Sequence, residues 1–170
     1  MIKQFTSKVK VYSVLLCALA LSACGFQLRG NYLIPEPLQT IYLTSEDKHS
    51  ELTRVVKQHL EYNKVNMAQR SSEQVASMKL LKDKLDRRTL SVFPNGQVAE
   101  YELIYSVAYQ IALPGEDPQL MRFEINRDYQ DDPNFTLAKS RELKLILSEM
   151  RQEAAEIILR KMAAHSSVNN

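Results

Sequence analysis

Tyr101-Glu102-Leu103-Ile104-Tyr105-Ser106-Val107-Ala108-Tyr109-Gln110-Ile111-Ala112-Leu113 sets a large apolar side chain at every odd position, with most even positions polar or small. Successive side chains of a strand point to opposite faces, so this period of two describes a long strand with one face in a core and the other toward water. A helix would spread the same residues around its whole circumference and leave no polar side. The segment therefore commits the middle of the chain to a sheet covered on one face.

Downstream, Pro114-Gly115-Glu116-Asp117-Pro118 is rich in chain-reversing residues. Met121, Phe123, Ile125 and Tyr129 resume the alternation beyond it, with Arg122, Glu124, Asn126 and Asp128 on the wet side. Upstream, Pro94-Asn95-Gly96 predicts a hairpin, because Pro presets one turn residue and Asn or Gly accepts positive φ. Residues 75–93 are less regular: Met78 and Leu80 share a parity with Leu90 and Val92, while Leu81 and Leu85 take the other. That phase change predicts a bend or bulge near residues 82–86. Residues 38–44 read as a shorter strand, with Ile41 and Leu43 on one face and Tyr42 on the other.

Two helices complete the pattern. Ser50 can cap a helix in which Leu52, Val55, Val56, His59 and Leu60 form one apolar stripe, and Asn63 is a natural stop. Residues 136–164 form a second, in which Leu143, Ile146, Leu147, Met150, Ala154, Ile157, Ile158 and Met162 follow the helical period. At 1.5 Å per residue it is about 43 Å long, which leaves its far end to project past a small sheet, with Glu156 and Arg160 pairing on the solvated side. The order β-α-β-β-β-α predicts an α+β two-layer sandwich: two helices packed on one face of a four-stranded, mostly antiparallel sheet.

Lys3, Lys8 and Lys10, the apolar run 11–21 and the sequence Leu21-Ser22-Ala23-Cys24 have the form of a lipoprotein signal. The run is about half of the roughly 20 residues a membrane-spanning helix needs. Residues 1–23 are expected to be removed, with Cys24 acylated and holding the protein in a membrane through its acyl chains. By the sorting rule for such lipoproteins, Asp after the cysteine retains a protein in the inner membrane; Gly25 does not, which directs the chain to the outer membrane, facing the periplasm. Residues 24–37, with Gly, Asn and two prolines, read as a tether; residues 38–165 as a single domain; and 166–170 as a frayed tail. Losing three lysines and no acid turns 22 basic and 20 acidic residues into 19 and 20, a formal charge of −1. The charge balance then gives no case for a nucleic-acid partner. Cys17 leaves with the signal and Cys24 is consumed by acylation, so no disulfide is expected even in the periplasm.

Motifs for catalysis are missing. His49, His59 and His165 have no Cys, His or carboxylate at metal-ligand spacing, and His59 reads as a core-edge residue. Four glycines leave no phosphate-cradling loop, and Gly-x-Ser-x-Gly does not occur. Glu100 and Glu102 share a strand face, where acids are ordinary solvated residues rather than a hydrolytic pair. A non-enzymatic protein without metal or cofactor is expected. Lys79, Lys82, Lys84, Arg87 and Arg88 crowd one strand region, while Lys139 and Arg141 open the last helix. They serve either as edge protection and solubility or, for Lys139 beside exposed helix-start amides, as a phosphate contact that offsets an unfavourable macrodipole. The residues alone leave open a lipid-handling role and a generic periplasmic adaptor role without lipid cargo.

Three stretches carry a family resemblance: Cys24-Gly25-Phe26-Gln27-Leu28-Arg29-Gly30, then Ser91-Val92-Phe93-Pro94-Asn95-Gly96-Gln97-Val98-Ala99-Glu100-Tyr101, and Leu137-Ala138-Lys139. In these the chain resembles the LptE/RlpB family of LPS-assembly lipoproteins, and element order agrees along the whole mature chain. The resemblance implies a non-catalytic plug inside the outer-membrane β-barrel LptD, which helps that barrel assemble and lipopolysaccharide (LPS) reach the outer leaflet. It also implies LPS contacts at Lys139 and at a basic residue before Asn95-Gly96, where this chain has Pro94; Arg87 or Arg88 would supply that charge if they lie nearby. The turn Pro94, Asn95, Gly96 and Gln97 is the expected contact with the barrel.

Overall fold

The computed structural model describes residues 32–164. The signal, Cys24 and the tail lie outside the described residues. In chain order the elements are β1 (Thr40–Ser45), α1 (Glu51–Tyr62), β2 (Asn66–Met67), β3 (Ala76–Leu80), β4 (Lys84–Val92), β5 (Val98–Ala112), β6 (Gln119–Gln130) and α2 (Thr136–Ala164). Of the stretch read as a tether, residues 32–37 are described and they pack. Tyr32 N–H donates to Asn63 Oδ1 at 2.9 Å, Ile34 is buried, and Glu36–Leu38 is a short 3₁₀ turn that buries Leu38.

β5 is the strand anticipated from its alternation. Leu103, Tyr105, Val107, Tyr109 and Ile111 are buried in one cluster with Leu52, Val55, Val56 and Leu60 of α1 and Met150, Ala154, Ala155, Ile158, Leu159 and Met162 of α2. Removing one such apolar side chain from water contributes about 1.5–3 kcal/mol, so this one strand face supplies a large part of the folding drive. β6 runs antiparallel along one edge of β5, from Glu100↔Gln130 to Ile111↔Gln119. The other edge is shared end to end: β4 pairs antiparallel with residues 98–106 and β3 with residues 109–112.

The expected phase change sits where β3 gives way to β4. Residues 81–83 leave the ladder, although Leu81 N–H still donates to the Ala108 carbonyl at 3.0 Å. Met78 and Leu80 face the core before the break and Leu85 packs against it afterwards, which explains their opposite parities. A second irregularity follows: Thr89 pairs with Tyr101 and Ser91 with Glu100, so Leu90 is the extra residue of a bulge and is exposed, as are Val92 and Phe93.

The sheet corrects the four-stranded expectation. It has six strands, and on its far side β1 pairs in parallel with both β3 and β2. A parallel neighbour requires a crossover, which α1 provides between β1 and β2. β2 is only two residues long, too short to leave a periodic signature. α1 begins as anticipated, Ser50 Oγ accepting from Thr53 N–H at 3.0 Å, and it ends where Asn63 Nδ2 donates to the His59 carbonyl at 2.8 Å. His59 is half-buried at the helix interface, its Nε2 2.9 Å from Gln152 Oε1 of α2. In α2 the buried residues all lie from Met150 onward, so the expectation of a projecting far end is reversed. Ala154 and Ala155 are buried against the core there, and it is the first half that exposes Leu137 and Leu145. Glu156 and Arg160 are exposed but form no ion pair among the described residues.

A polar network spans the layers at the β3–β4 break. Tyr105 Oη donates to Asp83 Oδ2 at 2.7 Å, Arg151 Nε lies 3.9 Å from the same oxygen, and Arg151 also pairs with Glu51 in the first turn of α1. Burial, followed by the Asp83 hydrogen bond, pushes the Tyr105 phenol far above its ordinary value, so it stays a donor. Tyr105→Phe leaves Asp83 without that donor and is expected to cost about 1–3 kcal/mol, read as a lower urea midpoint at unchanged slope. A midpoint equal to the parent's would show that the network does not hold the break.

Candidate anion-binding site

Arg87 and Arg88 are neighbours in a strand and must point to opposite faces. Arg88 pairs across the ladder with Glu102, whose side chain is only 14% exposed, on the face away from the helices. Arg87 lies on the helix side, its guanidinium carbon 5.9 Å from the centre of the Tyr101 ring. Among the described residues no carboxylate forms an ion pair with Arg87. Arg127, level with it across Leu103 in the register, is engaged by Glu153 of α2.

Tyr101 pairs directly with Tyr129 of β6, and Tyr129 carries the start of α2. Its Oη donates to the Lys139 carbonyl at 2.9 Å, and the Lys139 ammonium stands 5.4 Å over its ring. Arg87 and Lys139 thus approach a two-tyrosine floor from β4 and from α2. Lys139 Nζ is 2.9 Å from Glu142 Oε2, and the lysine side chain is 21% exposed. Its ammonium is held above its ordinary value, first by that hydrogen bond, and is therefore charged throughout the neutral range. The Tyr129 phenol is also raised, mainly by burial and then by the negative charge of Asp131, so it stays protonated.

The β4–β5 hairpin lies at the same end of the sheet as the start of α2. Asp131 N–H, just before α2, donates to the Ala99 carbonyl at 2.9 Å. Pro94, Asn95, Gly96 and Gln97 form an exposed turn closed by Phe93 N–H to the Gln97 carbonyl at 2.8 Å and Gly96 N–H to the Phe93 carbonyl at 2.9 Å. A Cβ at Gly96 would meet nothing within 4 Å, so its φ of +83° is what favours glycine there. Leu90, Val92 and Phe93 of the hairpin, and Phe135 and Leu137 near the start of α2, are also exposed.

The other sequence candidates have structural duties. Glu100 accepts from Ser91 Oγ at 2.8 Å and Gln130 Nε2 at 3.3 Å, while Glu102 serves Arg88 and Asn126. No group of His, Cys, Asp or Glu able to hold a metal occurs among the described residues. Tyr101, Tyr129 and Glu142 escaped the sequence reading. The tyrosines carry only the signal of a buried strand face, and Glu142 that of an ordinary helix surface.

The fold recurs among known proteins. The family model described as LptE, lipopolysaccharide-assembly, matches residues 38–162. The LPS-assembly lipoprotein LptE of Pectobacterium atrosepticum is 34% identical over 148 residues, covering 86% of this chain and 80% of the relative. That of Yersinia enterocolitica is also 34% identical, covering 86% and 72%. The crystal structure of the rare lipoprotein B from Shewanella oneidensis superposes with a TM-score of 0.70 at 46% identity, covering 75% of this chain and 96% of that one. A lipoprotein B from Nitrosomonas europaea shares the fold, with a TM-score of 0.66 at 21% identity over 84% of this chain and 93% of that one.

Tyr129→Phe removes the bond that ties β6 to the first turn of α2. Amide exchange over residues 136–142 is expected to accelerate several-fold while β5 stays protected. Unchanged exchange would mean that other contacts hold the helix start.

Proposed function

This chain belongs to the LptE family of lipopolysaccharide-assembly proteins, and from that premise we propose that it is acylated at Cys24, plugs an LptD β-barrel and binds LPS. The family is non-enzymatic, and its role lies in LPS assembly at the outer membrane. The finer reading rests above all on one observation: Arg87 and Lys139, from different elements, converge over the Tyr101–Tyr129 pair. Phosphate groups of LPS meet both cations, and acyl chains meet the exposed Leu137, Phe135 and hairpin side chains. Arg87 takes the part that the resemblance gives to a basic residue before Asn95, where this chain has Pro94. Arg88, which pairs with Glu102 on the other face, is left out of the proposed site.

The opposite sheet face supports the plug. Lys84 with Ser106, Arg88 with Glu102 and Ser106 with Glu124 form cross-strand polar pairs there, Ser106 Oγ donating to Glu124 Oε1 at 3.1 Å. A polar lumen accepts such paired polar side chains. Residues 1–23 act as the removed signal, and the exposed turn 94–97 touches the barrel wall. A generic adaptor shares the anchor and fold but needs neither the two-cation site nor a barrel.

Two experiments test this reading. Affinity purification of tagged, acylated protein from detergent-solubilised outer membranes is expected to recover one large β-barrel protein in near-equal amount, with recovery reduced when the turn 94–97 is lengthened. Recovery without a barrel would favour the adaptor. In LPS-binding measurements, Lys139→Glu and Arg87→Glu are each expected to weaken binding about tenfold, on the scale of a lost charge-assisted contact, while Arg88→Glu leaves it within twofold. Equal effects at Arg87 and Arg88 would remove the site's geometric basis.

A further inference from the structure

Lys139 is not a free cation. Its ammonium rests on Tyr129, its carbonyl is bound by Tyr129 Oη, and its charge is met by Glu142 one turn along α2. The two partners are unequal: the lysine side chain is 21% exposed and the glutamate 46%. The ammonium is fixed between ring and helix, while the carboxylate is the solvent-side member that can swing away. Arg87, the second cation at the tyrosine floor, has no such counter-ion among the described residues. The other acid facing this end is Asp131, whose charge is felt by both Tyr129 and Lys139, but whose Oδ1 accepts the Asp132 N–H at 3.0 Å and forms no ion pair with Lys139.

We infer that Glu142 is an internal competitor for the ligand: an incoming anion meets Arg87 outright, but takes Lys139 only by displacing the Glu142 carboxylate. This deepens the LPS-binding reading and rests on it. The chemistry selects the group that succeeds. A carboxylate exchanging for a carboxylate gains nothing at Lys139. A phosphate monoester carries about 1.5–2 negative charges at neutral pH and three strong acceptor oxygens, and it prevails. Glu142 thereby reserves Lys139 for phosphate and lowers affinity for the correct ligand by the strength of an exposed helix ion pair.

The test is a double-mutant cycle on the full chain in detergent, with LPS and phosphate-stripped LPS as probes. Glu142→Gln is expected to bind LPS about two- to fivefold more tightly. The gain disappears when Lys139→Gln is also present, and Lys139→Gln alone weakens LPS but not phosphate-stripped LPS. No gain from Glu142→Gln, or a gain that persists without Lys139, overturns the competition while leaving the binding reading intact. Equal weakening of both probes by Lys139→Gln overturns the assignment to phosphate. If Lys139→Gln changes neither, Lys139 is not a ligand contact and the reading falls together with the inference.

Discussion

The rest of the structure depends on the burial of one face of β5. Its odd-numbered side chains form the floor on which α1 and α2 lie, and both of its backbone edges are occupied, by β6 on one side and by β3 and β4 in succession on the other. Because the side-chain period of a strand is two, a one-residue slip would drive Leu103, Tyr105, Val107, Tyr109 and Ile111 into water together. That penalty fixes the register of every neighbour, and with it the pairing of Tyr101 with Tyr129 and the facing of Arg87.

The same constraint divides the molecule chemically. Besides the Arg127–Glu153 pair, the helix-covered face carries two polar groups of residues: Asp83, Tyr105, Arg151 and Glu51 form a closed network, and Arg87, Tyr101, Tyr129 and Lys139 form an open one. In the first, each charge has an internal partner, so the arrangement locks the strand break. In the second, a cation stands over an aromatic ring without a carboxylate, which leaves charge available to something outside the chain. The bare face sets several of its polar groups in pairs across the ladder, as at Arg88 and Glu102 and at Ser106 and Glu124.

Much of the fold was legible before any coordinates. Strand alternation over 101–113, the Ser50 cap and the Asn63 stop are local signals, carried by residues a few positions apart, and the structure repeats them. The strand break was legible too, because an inverted parity is itself a local signal. The parallel pairing of β1 was not. Nothing within residues 38–44 records which strand lies beside them, and β2 is too short to carry a pattern. The part of α2 left uncovered was also misread, since helical periodicity says which face is apolar but not which half finds a partner.

The candidate site follows the same division. By itself the sequence determined that Lys139 opens a helix, that Arg87 and Arg88 sit in one strand, and that the chain begins with residues of the form of a lipoprotein signal and carries the motifs of its family. Alternation even required that the two arginines face apart. Only the tertiary structure decided which of them shares a face with Lys139, because that depends on where β3 breaks and how β4 then registers on β5. It also decided that two tyrosines some thirty residues apart in sequence become one surface, and that Glu142 is the residue on the lysine. Charge and periodicity are properties of neighbouring residues, whereas a binding site is a set of distances between distant ones, and those are set by the packing of the core.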